Sequence, residues 1–102
     1  MLESRCIMAI ERDELIDHLF QAVLSLRTID ECYRFFEDAC TVNEIHDLSQ
    51  RFHMATLLWQ GFSYQEVADL TGASSGTISR VKKCVIDENS GYQTILSRMF
   101  GG

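Results

Sequence analysis

The sequence predicts an all-α chain of six helices, and three observations carry that prediction. No proline occurs among the 102 residues, so no position lacks the amide hydrogen that a helix interior needs. The pattern hydroxyl-x-x-Glu recurs at Thr28-Ile-Asp-Glu31, Thr41-Val-Asn-Glu44 and Ser63-Tyr-Gln-Glu66. In such a capping box the hydroxyl accepts from an orphan amide of the first turn, while the glutamate reaches back to the cap amide. Behind each box the apolar residues recur at steps of three and four, which is the helical period.

The first helix is expected at about Glu11–Ser25, where Leu15, Ile16, Leu19, Phe20, Val23 and Leu24 make a broad apolar face. The second, at about Asp30–Ala39, repeats Cys32, Phe35, Phe36 and Ala39 at i, i+3, i+4 and i+7. The third, at about Val42–Gln60, carries Ile45, Leu48, Phe52, Ala55 and Trp59 along one seam, the stripe one helix presents to another. Gly61 ends it. Two short helices follow, at about Tyr64–Leu70 and Ser75–Val85. The polar stretch Asp87-Glu-Asn-Ser-Gly91 then leads to a last helix marked by Tyr92, Ile95, Leu96, Met99 and Phe100. The length suits one domain spanning 1–102. Six helices joined this tightly have more apolar face than a chain of this size can bury. The surplus on the first three helices and the last points to an interlocked homodimer.

Ser63–Cys84 has the pattern of a helix-turn-helix. Val67, Ala68, Ala73, Ile78 and Val81 can share one small core between its two helices, and Gly72 falls where the chain turns sharply. The second helix then offers Ser75, Gly76, Thr77, Ser79 and Arg80, small polar residues followed by a cation. Small side chains let a helix backbone approach base edges, and cations grip phosphates. Lys82 and Lys83, late in the second helix, are expected phosphate contacts. The bland alternative is a helical hairpin that packs in a core or binds a protein. The cations following directly on the exposed polar face favour double-stranded DNA. Tyr64 suits either a phosphate contact or a cover for the helix end.

Net charge is −6, which at first opposes DNA binding. Residues 1–50, however, hold eleven acidic and four basic residues, whereas residues 51–102 hold four and five. The local field at the docking face matters more than the global sum. Arg80, Lys82 and Lys83 form the dense basic cluster, and the acidic remainder predicts modest affinity. Cys6, Cys32, Cys40 and Cys84 form no C-x-x-C pair and are expected to be reduced, mostly as small core residues. His46 and His53 stand seven apart, which is wrong for a helical metal pair, so neither metal nor cofactor is expected. No nucleophile–base set, Gly-rich phosphate loop or paired-carboxylate motif supports an enzyme. The competing function is a protein-interaction adaptor using the acidic N-terminal half. Without a bilayer-length apolar run or a signal-peptide pattern, the reading is a cytoplasmic, nucleoid-associated protein with no membrane partner.

Together these segments resemble the Trp repressor superfamily, within it the branch of small Trp-repressor-like proteins called YerC/YecD. The resemblance rests on Glu31-Cys-Tyr-Arg-Phe-Phe-Glu-Asp38, Cys40-Thr-Val-Asn-Glu-Ile45, Thr71-Gly-Ala-Ser74 and Thr77-Ile-Ser-Arg-Val-Lys82, and covers roughly residues 10–100. It implies an intertwined homodimer that sets two recognition helices into successive major grooves of a pseudo-palindromic operator, and so a repressor. The family's base-facing positions fall on Ser75, Gly76, Thr77 and Ser79. All are small, so readout would lean on water bridges and DNA shape. The resemblance also implies phosphate contacts at Ser63 and Gln65, at the start of the first motif helix, and at Lys82 and Lys83. In the tryptophan-binding repressor two arginines sandwich the indole and hold its carboxylate. Arg51 and Arg80 match them, with the Gly61–Ser63 turn one residue shorter. The family's glycine after the second arginine is Val81 here, and its ligand-holding serine is Cys84. A β-branched side chain where the ring needs space obstructs tryptophan. The resemblance therefore leaves either another small-molecule effector or none.

Overall fold

The protein is described by a computed structural model covering residues 10–101, and those residues form six α-helices. They are α1 (Glu14–Leu24), α2 (Ile29–Ala39), α3 (Val42–Trp59), α4 (Tyr64–Thr71), α5 (Ser75–Ile86) and α6 (Gly91–Phe100). The all-α prediction holds, with ends within about three residues of those expected. Side-chain caps explain why the helices start where they do. Asp13, Thr28, Ser63, Ser74 and Ser90 each accept from the amide three residues on, so one orphan donor per helix is satisfied.

Two of the three expected capping boxes are complete. Thr41 and Glu44 exchange both bonds, at 2.8 and 3.1 Å, and so do Ser63 and Glu66, at the same distances. The third is half a box. Thr28 accepts from Glu31 N, but the Glu31 carboxylate takes the Arg27 amide at 2.9 Å. The side chain reaches one residue further and satisfies the donor preceding the cap.

The chain divides into two compact units, Ile10–Asp47 and 48–101. The first contains α1, α2 and the opening turns of α3. Phe35 and Phe36 meet edge-to-face at 5.1 Å, yet no residue of this unit is fully buried. Leu15, Leu24 and Val42 are more than four-fifths exposed.

The second unit holds the core. Met54, Ala55, Leu57 and Leu58 from α3 join Val67, Ile78, Val81, Val85 and Leu96 from the three later helices. The seam expected for α3 meets this core in part: Ala55 is fully buried, Phe52 and Trp59 are half-buried and pack against it, and Leu48 is about half exposed. The periodic stripe presumed one packing partner, whereas the last turns of α3 meet a core drawn from three helices and bury Met54, Ala55, Leu57 and Leu58.

Gly72 closes α4 in the left-handed region at φ 74°, donating to Ala68 O at 2.8 Å. Glycine takes that conformation without the penalty a Cβ brings. The end of α5 is tied into α6: Ser90 Oγ donates to Cys84 O, and Gln93 Nε2 donates to Val85 O at 2.8 Å. Two carbonyls left over at the helix end are thereby satisfied. Cys32 and Cys40 carry free thiols, as expected. Cys84 takes part in a disulfide, which corrects the expectation of reduced sulfurs there. Sequence spacing excludes only local cysteine pairs and is blind to those made by folding. Cys6 lies outside the described residues.

Candidate nucleic-acid interface

The helix-turn-helix is α4, the Gly72–Ser74 turn and α5, and the core residues named above fix it. Val67 and Ile78 are almost completely buried, and Ala68 and Ala73 pack beside them. The second helix is held from beneath by Ile78, Val81 and Val85, leaving the opposite side of its first turns to solvent. Ser74 Oγ accepts from Thr77 N at 3.3 Å and lies 3.1 Å from Thr77 Oγ1.

Along α5 the expected contact residues divide into two stripes. Ser75, Gly76 and Lys83 are exposed, and Ser79 is half-buried among them. At 100° per residue these four lie within roughly one-third of the helix circumference. Thr77, Arg80, Val81 and Cys84 stand at i, i+3, i+4 and i+7, which brings them onto a neighbouring stripe. That stripe lines a cavity of about 320 Å³, completed by Arg51 from α3 and Tyr92 from α6. The four residues that the resemblance marked as a ligand site thus surround one cavity. Thr77, assigned from sequence to base contact, borders it too.

Val81 and Cys84 are buried in the cavity wall, while Arg51 and Arg80, which also line it, are exposed residues. Tyr92 was not foreseen. It stacks obliquely beside Phe52, ring centroids 6.1 Å apart. Burial pushes its phenol above the usual tyrosine range, and the positive charge of Arg51 pulls partly the other way. No local pattern announces this role, because α6 meets α5 only through the fold.

At the start of α4, Ser63 is engaged as the cap and its hydroxyl is committed to Glu66 N. Gln65 is exposed, but its Nε2 donates to Asp69 Oδ1 at 2.9 Å. A carboxylate thus sits beside an expected phosphate contact, a feature unfavourable to polyanions that the sequence reading overlooked. Lys82 is half-buried, its Nζ 5.9 Å from the centre of the Tyr64 ring. Among the described residues no group of three or more His, Cys, Asp or Glu side chains could hold a metal ion. No helix among them is long and apolar enough to cross a membrane.

Comparison with known proteins places this arrangement. The family model described as Trp repressor protein matches residues 14–100. YerC of Bacillus subtilis strain 168 is 47% identical over 88 residues, which is 86% of this chain and 85% of that protein. The crystal structure of a TrpR-like protein from Eubacterium eligens superposes with a TM-score of 0.76 at 48% identity, covering 83% of this chain and 88% of that one. A candidate Trp repressor from Staphylococcus aureus gives 0.78 at 48% identity, covering 86% and 88%. The family match, the sequence identity and the structural similarity agree, and the chain belongs to the Trp repressor protein family.

Proposed function

We propose that this protein is a sequence-specific regulator of transcription that binds double-stranded DNA as a homodimer, represses, and does not respond to tryptophan. The whole chain, 1–102, acts as a single DNA-binding domain in the cytoplasm, associated with the nucleoid. The observation that carries this reading is the outer stripe of α5. Its first turn offers Ser75 and Gly76 with nothing bulky between backbone and solvent, Lys83 lies on the same stripe, and Arg80 and Lys82 flank it on either side. A helix so decorated can enter a major groove, with small residues towards bases and cations towards phosphates. Ser63 and Gln65 of α4 contribute phosphate contacts at the groove edge. Membership of the Trp repressor family supports a DNA-binding regulator.

The homodimer is supported by the unit Ile10–Asp47. A helical unit that fully buries no side chain lacks the apolar burial that stabilises a fold. A second copy supplies the missing cover.

The cavity supports a limited statement about effectors. Its two arginines suit an anionic group, and Val81, β-branched where the tryptophan-binding repressor has glycine, argues against a planar indole. Calorimetry with tryptophan is expected to give no heat of binding, and a measurable affinity would overturn this part of the reading.

Selection of bound duplexes from a random pool tests the function directly. An enriched motif is expected, with affinity falling steeply as salt rises. The joint substitution Lys82→Ala and Lys83→Ala should lower binding across all sequences and flatten the salt slope. No enriched motif, together with a reproducibly co-purifying protein, would favour the adaptor instead.

A further inference from the structure

The pairing of Lys82 with Tyr64 assigns a role to a residue that no contact with DNA requires. Tyr64 is the first residue of α4 and Lys82 lies in the second half of α5, so the pair bridges the two helices of the motif. The Lys82 ammonium stands 5.9 Å from the Tyr64 ring centre, within reach of the ring's negative face. Among the described residues Lys82 has no carboxylate partner. The distinction matters physically. A carboxylate would order the ammonium and cancel its charge, whereas an aromatic face orders it and leaves the charge available to a phosphate. An unanchored lysine would have to give up the freedom of its long side chain on binding.

We propose that Tyr64 is a positioning residue: its ring holds the Lys82 ammonium beside the start of α4 as a preordered phosphate grip. The role rests on the DNA-binding reading above and adds to it which side chain sets the cation in place. It depends on the ring rather than on the hydroxyl, which separates it from direct contact of the phenol with a phosphate.

The test combines two measurements on the full-length protein. In the first, binding to a selected duplex is compared for Tyr64→Phe, Tyr64→Leu, Lys82→Ala and the Leu/Ala double variant. Tyr64→Leu should weaken binding about two- to fivefold, the range an exposed cation–π contact allows. Tyr64→Phe should stay near wild type, and Tyr64→Leu should add nothing once Lys82 is alanine. In the second, NMR of the free protein should show the Lys82 ε-methylene protons shifted upfield by the ring. The shift should be kept in Tyr64→Phe and lost in Tyr64→Leu.

Equal losses for Phe and Leu, or additive effects of Leu and Ala, would overturn the positioning role while leaving DNA binding intact. Absence of the upfield shift in the wild type overturns the pairing itself. Failure of the wild type to bind any duplex, with the upfield shift present, overturns the DNA-binding reading and with it the docking role. Retained thermal stability in Tyr64→Leu separates loss of positioning from loss of fold.

Discussion

Asp69 places a negative charge directly beside Gln65, one of the proposed phosphate contacts. Its carboxylate holds Gln65 Nε2 at 2.9 Å, and on a polyanion it adds repulsion next to a residue proposed to grip phosphate. Asp69→Asn preserves an acceptor for the Gln65 amide and removes the charge. Affinity for a selected duplex should rise severalfold at low salt and less at high salt, because screening already weakens the repulsion; titrations at two salt concentrations check this. Tyr92 offers a second residue-scale prediction. Its folded-state value lies above the usual one, chiefly through burial, so the native state holds the proton more tightly than the unfolded chain. The corresponding stability is fully present below the ordinary tyrosine value, about 10, and is lost as pH rises through the higher folded one. Denaturant melts in that alkaline window should therefore show Tyr92→Phe losing less stability than wild type.

At the scale of elements, the first turn of α4 is organised by a reciprocal pair of bonds between Ser63 and Glu66. Ser63→Ala removes the acceptor for Glu66 N and should lower unfolding free energy by about 1 kcal/mol, measurable by urea denaturation. Because Ser63 is also an expected phosphate contact, its DNA affinity should fall by more than stability alone explains. The core beneath the motif behaves differently. Leu96 is fully buried between helices that include α5, and Leu96→Ala should cost about 2–5 kcal/mol. That loss would loosen α5 and abolish specific binding together with the cooperative melt. Cap and core are thus distinguishable, one by a small shift in midpoint and the other by loss of the folded state.

At the scale of the whole molecule, the contrast between the two units decides what the protein needs. Residues 48–101 own a core, whereas Ile10–Asp47 carries apolar side chains with little cover. Leu15, Leu24 and Ile29 are at least three-quarters exposed, apolar side chains that the unit itself leaves uncovered. In the homodimer reading those faces are buried against a second copy. Sedimentation equilibrium should show a dimer at micromolar concentration, and Leu24→Asp should shift it towards monomer with a lower melting temperature. A stable, folded wild-type monomer at that concentration would remove the case for the interlocked arrangement.

The helical class, the starts of α2 to α5 to within one residue, and the helix-turn-helix segment were determined by the sequence itself. Caps join residues three apart and the apolar period repeats every turn, so both are local properties that one strand of text displays. The same locality explains the errors. Thr28-Ile-Asp-Glu31 looks like its two sister boxes, yet Glu31 prefers the Arg27 amide, since several nearby donors compete for one flexible carboxylate. Only the tertiary structure decided which residues of α3 are buried, and that Thr77, Arg80, Val81 and Cys84 meet Arg51 and Tyr92 around one cavity. The Lys82–Tyr64 pairing belongs to the same class. Each of these depends on residues from different helices meeting in space, and that is set by the packing of whole helices, which no local period encodes.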